Sequence, residues 1–316
     1  MNCQLSRIQV YTSLFLLTFC TILSARAFAD PYKIKNDTII IKEGIAGKMI
    51  TAEWGNALTS RMSKAYIDSL ARLQRDLTTE ERAWKDLIAS KTDIWNTFKD
   101  SLAVPFADLK ISDTIYILPG YRGSDDGFTY GYQTVCLDLT ALNSAYGRAE
   151  LPENNNRIDR IFAHEYTHLL HKAWAKNYGL KLETFKDSIL WECLYEGIGM
   201  YRSLNPQWMP VNGELPGLTK TTLENLYPIF VERLSTIETM DTLTPEEKDQ
   251  LNKNLSRGSV NQKWGAFPVA IWLALEANGD DKKLQAWISK GPASAIQLAK
   301  KYLTGDHQQK FISTFK

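Results

Sequence analysis

The feature that most constrains this chain is a five-residue run, His164-Glu165-Tyr166-Thr167-His168, inside a segment with the patterning of a helix. Histidines four residues apart on a helix point the same way, about one turn apart. Both imidazoles can therefore ligate one zinc ion, with the intervening Glu165 beside its water. The chain has only 4 histidines, and two of them are in this run. We therefore interpret the rest of the sequence around a predicted zinc site.

Composition excludes some classes of partner. The chain has 316 residues, enough for one large domain or two modest ones. Its hydrophobic content of 44% and charged content of 23% are ordinary for a globular protein. The net charge of +1 gives no reason to expect nucleic acid or an anionic membrane as a partner.

The N-terminus has the pattern of a signal peptide. A mostly apolar run, residues 10–23, follows Arg7, and Ala27 and Ala29 form an A-x-A cleavage site. The run is short for a transmembrane helix, although an uncleaved anchor is the alternative. We predict a signal peptide at residues 1–29, no stable membrane insertion after cleavage, and a periplasmic or secreted bacterial location. Cys136 and Cys193 would then lie in an oxidising compartment, as a disulfide or as two buried thiols.

The patterns predict a sheet-bearing half of the chain followed by a helical half. Residues 36–44, 114–118 and 130–139 have strand character, and we expect the last two to pair as a hairpin. Helical periodicity is predicted at the following segments: 45–77, a helix opening at Thr78 or Thr79, 158–174, 182–203, 218–237 and a helix capped by Thr244. The prediction is an α+β fold and a single domain over residues 30–316. A small mixed β-sheet would lie within residues 30–155 and a mostly helical part within 156–316, with the active site at the junction.

The predicted motif helix has two different faces. His164, His168 and His171 lie on one side and the apolar residues on the other. His171 is seven residues from His164, about 10 Å along the axis, too far for one metal ion. We therefore predict that it lines the cleft wall or the surface. A catalytic zinc still needs a third protein ligand and an open position for water.

A second motif, Leu194-Tyr195-Glu196-Gly197-Ile198-Gly199, lies on the next predicted helix. H-E-x-x-H followed by E-G on the next helix resembles the gluzincin clan of zinc metallopeptidases and several uncharacterised families of predicted zinc-dependent proteases. The resemblance covers residues 114–203. It implies a zincin-like fold, one Zn²⁺ ion, and Glu196 as the third ligand beside His164 and His168.

The second motif departs from the clan at one position. Enzymes of this clan that resemble thermolysin have an aspartate four residues after the ligand glutamate, where this chain has Met200. Glu192 lies one turn before Glu196 on the same face. It is an alternative ligand, or an acceptor that orients a zinc-bound histidine. Cys193 is more typical of a core or disulfide position than of a hydrolytic zinc site.

The resemblance implies hydrolysis of a peptide or protein substrate. Zinc would acidify a water molecule, and Glu165 would take its proton and deliver it to the leaving amine. Tyr201, Tyr227 and His171 are unranked candidates for stabilising the oxyanion. The alternative function is a non-catalytic envelope protein of zincin-like fold that binds a partner or a cell-wall component. The sequence does not determine the oligomeric state.

In the gluzincin clan, the strand before the motif helix pairs with an extended substrate. That role falls here on Thr134, Val135, Cys136 and Leu137, which we predict as a possible substrate strand. An internal position for this strand is the alternative, because the sequence pattern alone does not distinguish the two.

Overall fold

The computed structural model describes residues 38–107, 109, 111, 114–240 and 242–316, so the predicted signal peptide lies outside it. The strands are Thr38–Ile41 (β1), Ile45–Ala46 (β2), Met49–Ile50 (β3), Thr114–Gly120 (β4), Gly127–Tyr130 (β5) and Thr134–Asp138 (β6). The first helices are Ala52–Leu58 (α1), Lys64–Arg72 (α2), Thr79–Ala89 (α3), Thr92–Ala103 (α4) and Leu139–Tyr146 (α5). The later helices are Pro152–Asn177 (α6), Phe185–Ser203 (α7), Gly217–Thr239 (α8), Pro245–Asn252 (α9), Ala266–Ala277 (α10), Gln285–Ile288 (α11), Ala293–Tyr302 (α12) and Gly305–Thr314 (α13).

The main sheet is small and mixed, and its strand order is β1-β4-β6-β5. β1 is parallel to β4 and β4 is parallel to β6, whereas β5 is antiparallel to β6. The sheet lies in the N-terminal half, and helices form the C-terminal half. The predicted α+β class and the separation of sheet and helices are confirmed.

The predicted hairpin between residues 114–118 and 130–139 is wrong. β4 and β6 are parallel neighbours, with Tyr116 opposite Thr134. The segment between them contains β5, which reverses direction once more and forms the actual hairpin with β6. Gly131 adopts a φ of 61° at that turn, a conformation that favours glycine.

The possible substrate strand is an internal strand. Thr134, Val135, Cys136 and Leu137 belong to β6, which β4 and β5 flank on both sides. Every residue of β6 is buried. Since both edges of the strand are already paired, β6 has no free backbone groups for a substrate, and that prediction is wrong. β5 is the edge strand on this side of the sheet.

The segment predicted as a helix from residue 45 begins differently. β2 and β3 form a short antiparallel hairpin through Gly47, which has a φ of 59°, and α1 and α2 follow. The predicted start of α3 is confirmed at Thr78, whose hydroxyl accepts from the Glu81 N–H while the Glu81 carboxylate accepts from the Thr78 N–H. Thr244 caps α9 in the same way.

α6 is the central helix of the fold. It contacts α4, β5 and β6 on one side and α7 on the other. α7 packs in turn on the almost completely buried α10, and a Cβ on Gly197 would lie 2.6 Å from Val269. Gly197 therefore permits the close approach of these two helices. Cys136 and Cys193 are buried free thiols. No described helix combines the length and the apolar character needed to cross a bilayer.

Candidate metal centre

The two sequence motifs meet where α6 packs on α7. The Nε2 atoms of His164 and His168 lie 2.9 Å apart. Each of them lies 3.6 Å from Oε2 of Glu196. Tetrahedral zinc with nitrogen and oxygen ligands at about 2.0–2.1 Å places neighbouring ligand atoms about 3.3 Å apart. The structure therefore brings together the three predicted ligands at a spacing that fits one metal ion.

A glycine allows α7 to approach the two imidazoles. A Cβ on Gly199 would lie 2.9 Å from Cε1 of His168 and 3.0 Å from Cε1 of His164. Glycine in a helix interior costs about 1 kcal/mol relative to alanine, so its position here needs a packing reason. The close contact with both rings supplies that reason. The second glycine of the E-G-I-G run therefore belongs to the site, although it carries no functional group.

The electrostatics of two of the three ligands, Glu196 and His168, favour the protonation states that a metal ion needs. Burial alone would raise the pKa of Glu196, but His168 and His164 outweigh it and hold that pKa well below its usual value. Burial lowers the pKa of His168 to about 4. Burial also acts against a charged His164, yet the adjacent Glu196 and Glu165 raise its pKa overall. An ionised carboxylate beside a neutral imidazole is ready to bind a cation, whereas His164 ligates a metal only in its neutral form.

Neighbouring side chains hold the two imidazole rings differently. Nδ1 of His164 lies 3.1 Å from Oγ of Ser203, so the hydroxyl can accept a hydrogen bond from the Nδ1–H group. The ring of His168 stacks on Tyr195, with centroids 4.0 Å apart and planes 8° apart. Nδ1 of His168 has no hydrogen-bond partner within the described residues. The sequence does not single out Tyr195, since only its place before Glu196 distinguishes it among the chain's 14 tyrosines.

Glu165 is buried without a strong partner. Its side chain packs against the backbone of β5, where a Cβ on Gly127 would lie 3.1 Å from Cγ of Glu165. The residue is 7% exposed, and its carboxylate accepts no hydrogen bond from a described group. Burial raises its pKa to about 7, with His164 opposing and Glu196 adding to the shift. A carboxylate with this pKa can both accept and release a proton near neutral pH.

The three ligands and Glu165 line one large cleft, which we call the metal-site cavity. Its volume is about 1080 Å³, and its walls come from α6, α7, the edge strand β5 and residues 256–263. The cavity is large enough for several residues of an extended peptide. β5 has β6 on one side and no other strand on its cavity side among the described residues.

Two of the oxyanion candidates lie outside the cavity. The hydroxyl of Tyr201 donates to Asp281 at 2.6 Å. The buried hydroxyl of Tyr227 accepts from Nε1 of Trp272 at 3.4 Å. Neither tyrosine lines the cavity. Tyr201 is five residues from Glu196, about 140° around the helix, so it points away from the cavity. Both predictions are therefore wrong.

The prediction for His171 is also wrong. It is fully buried rather than on the cleft wall or surface. Both of its ring nitrogens lack a hydrogen-bond partner within the described residues, and burial holds its pKa well below the usual value. Aromatic rings surround it: Phe106, Trp174, Trp191 and Tyr195. It lies on the histidine face of α6, but α7 covers that face beyond His168.

Glu192 lines the cavity without joining the ligand cluster. Its Oε1 accepts from the hydroxyl of Ser256 at 3.2 Å, and no hydrogen bond joins it to either histidine. The cluster of possible ligands contains His164, His168 and Glu196 but not Glu192. The structure therefore does not support Glu192 as the third ligand, or as the acceptor of a hydrogen bond from a zinc-bound histidine. Cys193 is buried in the core, as one of the two alternatives predicted.

Two cationic groups near Glu165 were not foreseen. Lys172 follows His168 by one turn on α6, lines the cavity and donates to the hydroxyl of Thr129 on β5. Arg61 lines the opposite wall and pairs with Asp125. The spacing of Lys172 from His168 was visible in the sequence, whereas the approach of Arg61 depends on tertiary packing.

Searches of protein-family models, curated proteins and solved structures find no match to this chain.

Proposed function

We propose that this chain is a zinc-dependent peptidase of zincin-like fold and gluzincin type. One observation carries the proposal. Two imidazole nitrogens and one carboxylate oxygen lie 2.9–3.6 Å apart, next to a cavity-lining carboxylate that has no strong partner. A purely structural metal site has no need of that extra carboxylate, which favours catalysis over the non-catalytic alternative.

His164, His168 and Glu196 would hold the ion. Two histidines and one glutamate are a donor set of catalytic zinc, which leaves a fourth position for water or substrate. A bound Zn²⁺ would supply a Lewis acid that polarises the substrate carbonyl and acidifies a water molecule. The ionised Glu196 and the neutral His168 fit this ion without further proton loss.

Glu165 is the proton-transfer group in this proposal. Its pKa of about 7 allows the carboxylate to accept a proton from the attacking water and to return it to the leaving amine. The backbone of Gly127 packs against its side chain, which holds the carboxyl group at the cavity end of β5. Proton transfer by a positioned group contributes roughly 10²–10⁴-fold to a rate.

The edge strand β5 takes the place of β6 as the substrate strand. Its cavity-side N–H and C=O groups have no strand partner among the described residues, and an extended peptide can add there as a further strand. Main-chain pairing of this kind favours a peptide or protein substrate. Gly127, Phe128 and Thr129 all line the cavity, so a paired peptide would pass Glu165.

Two groups near Glu165 can stabilise a developing oxyanion instead of Tyr201 and Tyr227. The Lys172 ammonium and the Tyr195 hydroxyl both interact electrostatically with Glu165. Both also contact Thr129 on the edge strand. They are hydrogen-bond donors placed between the proposed substrate strand and the proposed base.

Metal content tests the site first. We expect close to one zinc ion per chain in purified residues 30–316, and its loss in His164→Ala and Glu196→Ala. Glu192→Gln and His307→Ala are matched controls that should keep the ion, because neither residue belongs to the cluster. Zinc retained in Glu196→Ala would refute the three-ligand site.

Peptide cleavage tests the activity. Zinc-loaded wild-type protein should cleave members of an unbiased peptide library, read by mass spectrometry. If the loaded protein cleaves none of them, the proposal fails in favour of the non-catalytic envelope protein. A protein that binds zinc but cleaves no peptide would keep the metal site and lose the peptidase activity, so the two parts of the proposal can be separated.

A further inference from the structure

Two guanidinium groups line the metal-site cavity without an acidic partner. Arg157 and Arg160 lie seven and four residues before His164, on the same side of α6, and both line the cavity. Arg157 donates to Oδ1 of Asn154 and lies over the ring of Tyr146. Arg160 has neither a hydrogen bond nor an ion pair within the described part of the chain.

Two other partly buried guanidinium groups in this protein have acidic partners, whereas Arg233 donates to the carbonyls of Leu251 and Lys253. Arg75 pairs with Glu81, and Arg202 pairs with Asp281. The side chain of Arg202 is 10% exposed, and a charge this deeply buried requires compensation. By comparison, Arg160 is a partly buried cation that makes no ion pair within the described residues, and the adjacent Asp159 already binds Lys91 and Trp95.

The carboxylates near these two arginines are already engaged. Asp126 accepts the hydroxyl proton of Tyr146, and Asp125 pairs with Arg61. Burial and then the charge of Arg157 lower the pKa of Arg160, which shows that the two cations repel each other. An anion bound between them would relieve that repulsion.

The segment 256–263 adds positive charge to the lining of the cavity. Arg257 and Lys263 line the same cavity, and neither has an ion pair within the described residues. Glu192, which also lines the cavity, is held by Ser256. The cavity is therefore lined by further cationic groups besides Arg157 and Arg160, although the whole chain is nearly neutral.

We propose that Arg157 and Arg160 bind a carboxylate of the substrate, and this rests on the proposed peptidase function. The planar guanidinium fork matches a carboxylate through two parallel hydrogen bonds. Arg160 and Arg157 lie about 6 and 10 Å before His164 along the helix axis, at 1.5 Å per residue. An extended peptide rises about 3.4 Å per residue. The carboxylate would therefore lie about two to three residues from the scissile bond.

The direction of β5 selects the side of the scissile bond. Gly127, at the start of β5, packs against Ile161, the residue after Arg160. Thr129, further along the strand, contacts Lys172. A peptide antiparallel to β5 therefore runs toward the arginines at its C-terminal end. The carboxylate is then an acidic side chain or the chain terminus on the C-terminal side of the cleaved bond.

Cleavage profiling is the first test. Zinc-loaded wild-type protein, Arg157→Gln/Arg160→Gln and the control Arg72→Gln/Arg148→Gln would each digest the same proteome-derived peptide mixture. The control removes the same charge from exposed sites outside the cavity. We expect carboxylates two to three residues after the bond to be enriched at least about fivefold by the wild type and the control, but not by the cavity variant. Cleavage without this enrichment, or enrichment that survives in the cavity variant, overturns the proposal.

A binding test separates recognition from catalysis. Zinc-loaded Glu165→Gln, with and without Arg157→Gln/Arg160→Gln, would be immobilised and exposed to the same mixture. Preferential retention of acidic peptides that needs the arginines supports the carboxylate site, even if the wild type cleaves nothing and the peptidase proposal fails. Equal retention of acidic and neutral peptides overturns it. Synthetic peptides with free or amidated termini distinguish the terminal carboxylate from an acidic side chain.

A single variant protects the test against misfolding. Arg160→Gln removes a side chain that makes no hydrogen bond or ion pair within the described residues, so we expect the thermal midpoint to be unchanged. It should still reduce the preference for glutamate over glutamine at the selected position by about threefold or more. An unchanged preference in this folded variant counts against the proposal.

Discussion

Glu81 and Glu165 are both glutamates shielded from solvent, but they have opposite surroundings. They are 3% and 7% exposed. The Glu81 carboxylate accepts four hydrogen bonds. Two come from the terminal nitrogens of Arg75 at 2.6 and 2.7 Å, one from the Thr140 hydroxyl at 2.7 Å and one from the Thr78 N–H at 3.0 Å. Burial would raise the pKa of Glu81, but these donors lower it to about 2. Burial raises the pKa of Glu165 to about 7, because comparable donors are missing.

The difference shows that the balance between burial and hydrogen-bond donors decides what a buried carboxylate does. Glu81 is held ionised by four donors and fixes the start of α3 against α5. Glu165 keeps its capacity for a proton and faces the cavity. A perturbed carboxylate with few partners in a cleft is the pattern expected of a functional group, whereas a satisfied one is structural.

The largest expected effect is on catalysis. Glu165→Gln should lower peptide hydrolysis by about 10³-fold or more, because glutamine cannot accept the proton, while zinc stays bound. Glu81→Gln should leave the rate of the folded protein within about twofold. Initial rates and zinc content of both variants check this. A Glu165→Gln protein that retains both zinc and full activity would remove the distinction between the two glutamates.

The second effect is on stability. Glu81→Gln should lower the free energy of unfolding at pH 7 by on the order of 2–3 kcal/mol, because the buried Arg75 loses its counter-ion and α3 loses part of its cap. Urea unfolding of the zinc-free proteins measures it. Glu165→Gln is the control and should not lose stability, since no hydrogen bond from a described group is removed.

The same contribution of Glu81 should depend on pH. Its pKa is depressed in the folded state, so the stabilisation is fully present above pH 4.5 and is lost as the pH falls toward about 2. The wild type should therefore approach Glu81→Gln in stability over that window. A difference between the two proteins that does not change with pH would contradict this origin.

Sequence patterns could predict the residues near each other along the chain. The H-E-x-x-H spacing, the E-G run and the Thr78 cap each depend on the geometry within a single helix. The structure brings the three ligands together. The bond between Glu81 and Thr140 could not be predicted, because the two residues are 59 positions apart. Nor could the arginines of the cavity be assigned to Glu165's cleft before the packing of α6 was known.

The wrong predictions share a physical cause. A helical wheel gives the direction of a side chain from its own axis, but not the element that covers it. His171 was therefore placed on a cleft that α7 fills, and β6 was given an edge that β5 occupies. Strand order depends on which segment reverses direction, and the sequence interpretation assigns no separate strand to residues 127–129.

The stability of the zinc-free protein should also depend on the ionisation of Glu165. Its folded pKa is raised from 4.5 to about 7, so the folded state binds this proton more tightly than the unfolded chain does. The residue is not destabilising below pH 4.5 and becomes increasingly so as the pH rises to 7. Glu165→Gln should therefore exceed zinc-free wild type in stability by on the order of 1–2 kcal/mol at pH 8, and by much less at pH 4.5. Chemical unfolding at the two pH values measures this, and a gap that widens toward low pH would contradict it.

The smallest effect isolates one donor of Glu81. Thr140→Val keeps the shape of the side chain and removes the hydroxyl that donates to Glu81 at 2.7 Å. We expect a loss of about 1 kcal/mol at pH 7, the usual net contribution of a hydrogen bond. Thr97→Val, which removes an exposed hydroxyl bonded to the Ile94 carbonyl, is the matched control and should change stability by less than about 0.5 kcal/mol. The acid transition of Glu81 should also move to higher pH in Thr140→Val, because one group that favours the ionised form is gone. If stability falls but this transition stays in place, the hydroxyl contributes by packing, and the ionisation of Glu81 rests on Arg75 and the helix cap.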